Sequence, residues 1–293
     1  MRKLLDMDQM EAYCQWLYEN EKSNTTIQKY RHHLLMFFAY LENRKLEKKI
    51  RKSVVLEWKE WLKGRMAPTS VNNALAALNS FFRFCGRKDL AVRYLRVRKQ
   101  VFCPEERELD RSEYERLVKT AVHLKKERLS LLLQTICATG IRISELKFIT
   151  VESLEQKCAE VECKGRIRTV WFPRELCRML KDYVRRKRIV SGMVFVTRTG
   201  KALDRSNVWR EMKQLGQLAG VQEQKIFPHN LRHLFARVYY NQEKDLSRLA
   251  YILGHCNVNT TKIYTRESGK THVRQIEQMN LVMSEYNGIY LML

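Results

Sequence analysis

The side chains in this sequence that could do chemistry together are Arg142, Lys164, His229, Arg232, His255 and Tyr264. Attack on a phosphodiester adds charge to oxygens that are already anionic, so catalysis there is mostly positioning and electrostatic stabilisation. Arg142 and Arg232 suit that task, because each guanidinium offers planar paired donors and keeps its charge near neutrality. A tyrosine hydroxyl ordinarily holds its proton up to a pH of about 10, so Tyr264 needs a base or a strongly positive site to become a nucleophile. His229 is the candidate base: it lies three residues before Arg232, on the same face of an expected helix, and imidazole titrates near neutrality. Lys164, at the tip of an expected hairpin, can reach a leaving oxygen as general acid, and Lys157, Arg166 and Arg168 compete for that role. His255, just past the helix stop at Gly254, would donate to a nonbridging oxygen. Glu145 and His233 are supporting residues, Glu145 as a structural partner for arginine or histidine.

These residues need elements to hold them. With only four prolines, eleven glycines and 30% charged residues, the chain reads as mainly α with a small antiparallel sheet. Apolar residues recur at helical spacing over 8–20, 24–43, 52–65 and 69–86, with Asn24 and Thr25, and Thr69 after Pro68, as helix-starting oxygen donors. Residues 1–88 form a helical module. The periodicity lapses over 89–107, an exposed basic linker carrying Arg93, Arg96, Arg98 and Lys99. Asp110 to Glu113 then resembles a capping box, and a second domain runs from 108 to 272. There, Ala159–Cys163 and Ile167–Phe172 flank Lys164-Gly165 as a hairpin, Met193–Val196 adds a short third strand, and Arg142 follows Gly140 at a loop-to-helix transition whose free amides favour anions. Helices are expected at 174–190, 204–219, 229–241, 245–253, 259–266 and 272–286. Ile276, Met279, Met283 and Tyr286 fall at helical spacing in a terminal segment, 273–293, that closes with an apolar run and should dock.

The charge balance points to a polyanion. Fifty-five lysines and arginines against 32 acidic residues give a net charge of +23, spread over both halves. Double-stranded DNA contacted by both domains fits best, with Asn72, Asn73 and Arg83 on the fourth helix placed to read base edges. No stretch is apolar enough to span a bilayer and no secretory leader is visible, so the expectation is a cytoplasmic, nucleoid-associated protein with no membrane partner. The eight cysteines form no C-x-x-C pair and read as reduced, mostly buried thiols. Gly269-Lys270-Thr271 lacks the upstream glycine of a P-loop, where Tyr264 stands, and His229 is followed by Asn230 rather than the glutamate of a zinc protease. No metal or other cofactor is expected.

Taken singly, each candidate has a plainer reading, as a solvated arginine or a core tyrosine. In order, however, the second domain carries Thr139-Gly140-Ile141-Arg142 with Glu145-Leu146, the hairpin Lys164, His229-Asn230-Leu231-Arg232-His233, Leu253-Gly254-His255 and, nine residues on, Tyr264. This set closely resembles the tyrosine recombinase (phage integrase) family over residues 108–270. The helical module is similar to that family's core-binding domain. Leu234 and Phe235 follow this core where many members carry a threonine and then an aromatic residue, so Leu234 is the departure, and it bears on the packing behind Arg232.

The resemblance implies a helical core-binding domain followed by an α+β catalytic domain, in the simple two-domain form without a further N-terminal arm-binding domain. It implies a site-specific DNA recombinase that cuts and rejoins strands through a 3′-phosphotyrosyl link and a Holliday junction, without ATP or metal. The protein would be a monomer or weak oligomer when free and a tetramer on paired DNA sites, with a possible accessory recombination factor. The two domains would clamp duplex DNA from opposite faces, and the terminal helix would insert into a neighbouring protomer, though docking within the same chain fits the sequence as well. The rival readings are a non-catalytic DNA-binding regulator derived from a recombinase, and a type IB topoisomerase.

Overall fold

The computed structural model describes residues 6–46, 50–97, 107–163, 165–197, 199–255, 257–265, 273, 276–279 and 281. They divide into two compact units, Met1–Lys99 and Gln100–Leu293, each with its own apolar core. Among the described residues no helix is long and apolar enough to cross a membrane. The expected helix over 272–286 and the terminal run lie largely outside the described residues. Of that segment, Val273, Ile276, Met279 and Leu281 are exposed.

The first unit is built from α1 (Met7–Glu19), α2 (Asn24–Asn43), α3 (Lys52–Lys63) and α4 (Pro68–Phe84). Amphipathic spacing drives each helix inward, and Tyr13, Phe37, Trp58, Phe81 and Phe82 are fully buried. Two helix starts differ from expectation. Ser23, not Asn24, caps α2 through its hydroxyl, and α4 starts on Pro68 after Ala67 with no side-chain cap; the proline, lacking an N–H, leaves one orphan amide fewer at that helix start.

The stretch expected to begin an exposed linker is held onto this unit as far as Leu95. Leu90 and Val92 are buried in its core. The Asn79 amide donates to the Val92 carbonyl at 2.8 Å and accepts from its N–H at 3.0 Å, while Asn72 makes the same double exchange with Leu95 at 3.0 and 2.7 Å. A carboxamide that matches one peptide group in this way fixes an otherwise irregular strand.

The second unit contains α5 (Arg111–His123), α6 (Glu127–Thr139), α7 (Val151–Gln156), the hairpin β1 (Cys158–Cys163) and β2 (Arg166–Trp171), α8 (Arg174–Lys187), α9 (Arg205–Leu218), α10 (Pro228–Glu243), α11 (Leu246–Leu253) and α12 (Val258–Thr261). A 3-10 turn, Lys262–Thr265, continues α12 and carries Tyr264. The Asp110–Glu113 capping box is formed at the start of α5. The hairpin strands pair antiparallel, from Cys158 opposite Trp171 to Cys163 opposite Arg166. The third strand expected at Met193–Val196 is not one: the segment makes only isolated bridges, Thr150 with Met193 and Val196 with Ala202, with no ladder to extend them.

Helix α6 runs through the centre, with Leu129, Leu131, Leu132, Leu133 and Ile136 all buried, and packs against α10. None of its residues is exposed, so it lacks the solvated polar face by which a sequence reading catches a surface helix. Among the described thiols Cys14, Cys137, Cys158 and Cys177 are free, and of these four Cys177 is the buried one.

Candidate active site

Four chain segments converge in the second unit. Gly140 ends α6 in the left-handed region at φ +64°, and a Cβ there would lie 2.5 Å from Phe235 and 2.9 Å from Leu253. Phe235 thus packs directly behind the turn that carries Arg142. The Gly140 carbonyl accepts a hydrogen bond from Arg232, and the Leu253 carbonyl accepts another at 2.6 Å. Arg232 is 1% exposed, a guanidinium held in the interior by the carbonyl ends of α6 and α11.

Glu145 ties Arg142 into place. Its carboxylate accepts from the Arg142 amide and guanidinium, both at 2.8 Å, and from Arg168 at 2.9 Å. The Arg142 amide, expected to be free for an anion, is therefore occupied. The Arg142 side chain stays partly open to solvent while the Glu145 and Arg168 side chains are buried. Arg168, considered from sequence only as a rival to Lys164, is a buried partner in this network. The alternation along β2 is the signal that could have found it: Ile167 and Trp171 point outward, which sends Arg168 inward with Val170.

The imidazoles line the other side. His229 stacks edge-on with His233 at 4.6 Å between ring centroids, and His233 does so with Tyr264 at 4.8 Å. His255 lies parallel to the Tyr264 ring at 5.9 Å. His233, expected as a supporting residue, is thus one of the rings in contact with the phenol. Its buried Nε2 has no hydrogen-bond partner among the described residues.

His255 is held at both nitrogens, with Nε2 3.0 Å from an Arg232 nitrogen and Nδ1 2.8 Å from the Thr261 hydroxyl. An arginine can only donate, so Nε2 accepts and Nδ1 bears the proton. The donor role expected for His255 toward a nonbridging oxygen is not available in this arrangement, because the ring proton is turned to Thr261.

The electrostatics follow from burial beside arginines. Burial, reinforced by Arg142, pulls the Arg232 guanidinium down to about 10, and the nearby Tyr264 hydroxyl partly offsets this. His233 is pushed down to about 3 by burial and by His229, and His255 to about 4 by burial and by Arg232 and Arg142. The ring of His229, though open to solvent on one side, is also lowered, by partial burial and then by Arg232, Arg142 and Arg205. All three imidazoles are neutral at pH 7, the form in which a histidine can take a proton.

Lys164 lies outside the described residues; Gly165 beside it takes φ +71°, as a hairpin turn needs. In the first unit Asn73, Arg83, Arg93 and Arg96 are exposed, while the Asn72 amide is committed to Leu95; Arg98 and Lys99 lie outside the described residues. Among the described residues no group of three or more His, Cys, Asp or Glu side chains is gathered as a metal site would need.

A helical two-unit protein that brings two arginines and a ring of neutral histidines around one buried phenol belongs to the class built to work on a phosphate ester with tyrosine. Comparison with known proteins narrows the class. The profile of the phage integrase family matches residues 107–270, and that of the phage integrase N-terminal SAM-like domain matches residues 10–89. The tyrosine recombinase XerA of Pyrococcus furiosus is 28% identical over 294 residues, covering 98% of this chain and 99% of its own. The tyrosine recombinase XerD of Pseudomonas aeruginosa is 30% identical over 268 residues, covering 85% and 89%. A solved structure of the XerH site-specific recombinase in a pre-cleavage complex with its difH substrate aligns with a TM-score of 0.69 at 22% identity, covering 96% of this chain and 86% of its own, a likeness of fold. The chain belongs to the phage integrase family, the tyrosine recombinases.

Proposed function

We propose that this tyrosine recombinase cuts and rejoins double-stranded DNA at specific sites with Tyr264 as nucleophile. The Tyr264 oxygen attacks a backbone phosphorus, a 3′-phosphotyrosyl bond forms as the bond to the 5′ oxygen breaks, and the freed 5′-hydroxyl of a partner strand later reverses the step. Each step exchanges one phosphate ester for another, so bond energy is conserved. Arg142 and Arg232 hold the nonbridging oxygens, neutral His229 accepts the phenol proton, and Lys164 protonates the leaving 5′ oxygen. Glu145 and His233 support them, Glu145 by orienting Arg142. Because Arg232 and Tyr264 are both buried here, the Val258–Thr265 segment must shift to admit a phosphate.

Both units contact duplex DNA in this reading, residues 1–88 as the core-binding domain and 108–272 as the catalytic domain. Asn73, Arg83, Arg93 and Arg96 supply exposed contacts, with Arg98 and Lys99 continuing the basic stretch. Four protomers act on two sites through a Holliday junction, and the segment 273–293 joins neighbours.

The observation that carries this reading is the convergence of Arg142, Arg232 and His255, from three separate motifs, at the site of the Tyr264 phenol. The test is a nicked suicide duplex, which traps the covalent protein–DNA adduct. Wild-type protein accumulates the adduct and Tyr264→Phe does not; an adduct that persists in Tyr264→Phe overturns the assignment.

A further inference from the structure

Arg168 reaches inward from β2, its side chain 9% exposed, and donates to the Glu145 carboxylate at 2.9 Å. The other oxygen of that carboxylate accepts from the Arg142 guanidinium at 2.8 Å. Glu145 is 3% exposed along its side chain, so little water screens the three charges from one another. One negative charge stands between two positive ones, and the cluster keeps a positive charge in excess. Of the two guanidiniums it is Arg142, with 29% of its side chain exposed, that opens to solvent.

The excess decides what Arg142 can do. A guanidinium paired alone with a buried carboxylate forms a neutral unit, whose field largely cancels for an anion arriving on the open side. A second guanidinium on the same carboxylate offsets that cancellation. The cluster also lies beside the phenol. A Cβ on Gly254 would fall 2.6 Å from the Arg168 side chain, Arg142 Nη2 stands 3.5 Å from the Gly254 carbonyl, and the next residue, His255, lies parallel to the Tyr264 ring. Arg168 is close enough to add, after burial, Arg232, Arg142 and His229, to what holds the His255 ring's pKa down.

We propose that Arg168 is a positioning residue for the reaction: by sharing the Glu145 carboxylate it holds Arg142's partner in place and leaves Arg142's positive charge available to a DNA phosphate. The effect on cleavage rests on the function proposed above, whereas the effect on the charge felt at His255 does not.

The experiment compares wild type, Arg168→Lys and Arg168→Met. Lysine and methionine fill the position with similar unbranched chains and differ in charge. Suicide-duplex cleavage is measured at subsaturating protein, on an ordinary scissile phosphate and on a neutral methylphosphonate at the same position, with half-site binding alongside. In Arg168→Met, cleavage of the phosphate falls by about tenfold to a hundredfold, less than for a donor that touches the reacting group. On the methylphosphonate the loss is at least about threefold smaller, because the group under attack carries one negative charge fewer. Arg168→Lys stays within about fivefold of wild type, and half-site affinity, carried by exposed contacts, stays within about twofold in both. NMR of the His255 ring, assigned by its loss in His255→Asn, reads the charge without DNA: its pKa rises in Arg168→Met and stays near the wild-type value in Arg168→Lys.

Equal cleavage in the lysine and methionine variants, or equal losses on the two substrates, overturns the proposal, since either is the mark of packing rather than of charge. Arg168→Gln, which keeps an N–H donor for the carboxylate without the charge, replaces Arg168→Met if that variant folds poorly and is held to the same outcomes. If Tyr264→Phe still forms the adduct, the function reading fails instead, and the charge at Arg142 is judged on the His255 ring alone. An unchanged His255 titration in the neutral variant then overturns the proposal.

Discussion

Arg232 donates to the carbonyl of Gly140, a residue far back in the chain at the end of α6, and through that bond the helix that supplies one arginine is registered on the turn that supplies the other. The left-handed φ of Gly140 presents the carbonyl, and the missing side chain leaves room for Phe235. Gly140→Ala therefore meets both a backbone cost and a collision. The variant should lose about 2–4 kcal/mol of stability in the second unit, the sum of left-handed strain and overpacking, read by denaturant unfolding. A loss below about 0.5 kcal/mol would mean that the turn has slack.

Glu145 satisfies three donors at once, two from Arg142 and one from Arg168. Glu145→Gln replaces one acceptor oxygen with a donor and removes the negative charge that Arg142 and Arg168 share, at a cost of about 3–5 kcal/mol. Adding Arg168→Met to that variant removes one of the two cations facing the neutral amide and should recover part of the loss. A double-mutant cycle should give a coupling above about 1 kcal/mol, and additive effects would show that the two residues act independently.

His255 and His233 hold their folded-state pKa values at about 4 and about 3, below the 6.5 of an unfolded histidine. Between those values the unfolded chain binds more protons than the folded one, so stability is fully present above pH 6.5 and is lost as pH falls toward 4. Each group contributes a slope of up to about 1.4 kcal/mol per pH unit in that window. Unfolding free energies at pH 7, 6, 5 and 4.5 check this. His255→Asn should flatten the curve, and an unchanged curve would mean that the ring titrates normally.

Asn72 and Arg93 separate structural from DNA-contacting roles in the first unit. Asn72→Ala leaves both peptide groups of Leu95 without partners and should destabilise that unit by about 1–3 kcal/mol, with sequence preference on DNA unchanged. Arg93→Ala should spare stability, weaken binding across all sequences and reduce the salt dependence by about one counterion. Altered base preference in Asn72→Ala would return that residue to the reading surface.

What could be read from the sequence follows from the kind of signal each element leaves. Helices α1 to α4 carry amphipathic stripes, and the capping box at Asp110 and the stop at Gly254 use residues suited to one task, so all were legible. Helix α6 was not, because it has no solvated polar face. Met193–Val196 has the composition of a strand but no neighbour to pair with beyond single bridges. In the site, the residue types that handle phosphate stood out by chemistry. Arg168 and Thr261 did not, because what marks them is what they touch, a buried carboxylate contributed by another segment and the imidazole of His255. Asn72 illustrates the converse, a polar helix residue whose amide is taken up by backbone that no local pattern places beside it.

The central claim is that the Tyr264 oxygen becomes bonded to DNA. The most direct measurement is mass spectrometry of the proteolysed adduct trapped on a suicide duplex, with the DNA trimmed to a short tag. The account predicts one modified peptide, tagged on Tyr264 through a 3′ phosphate, with a free 5′-hydroxyl on the released strand. A tag on any other residue, or a 5′-phosphate link to Tyr264, would contradict it.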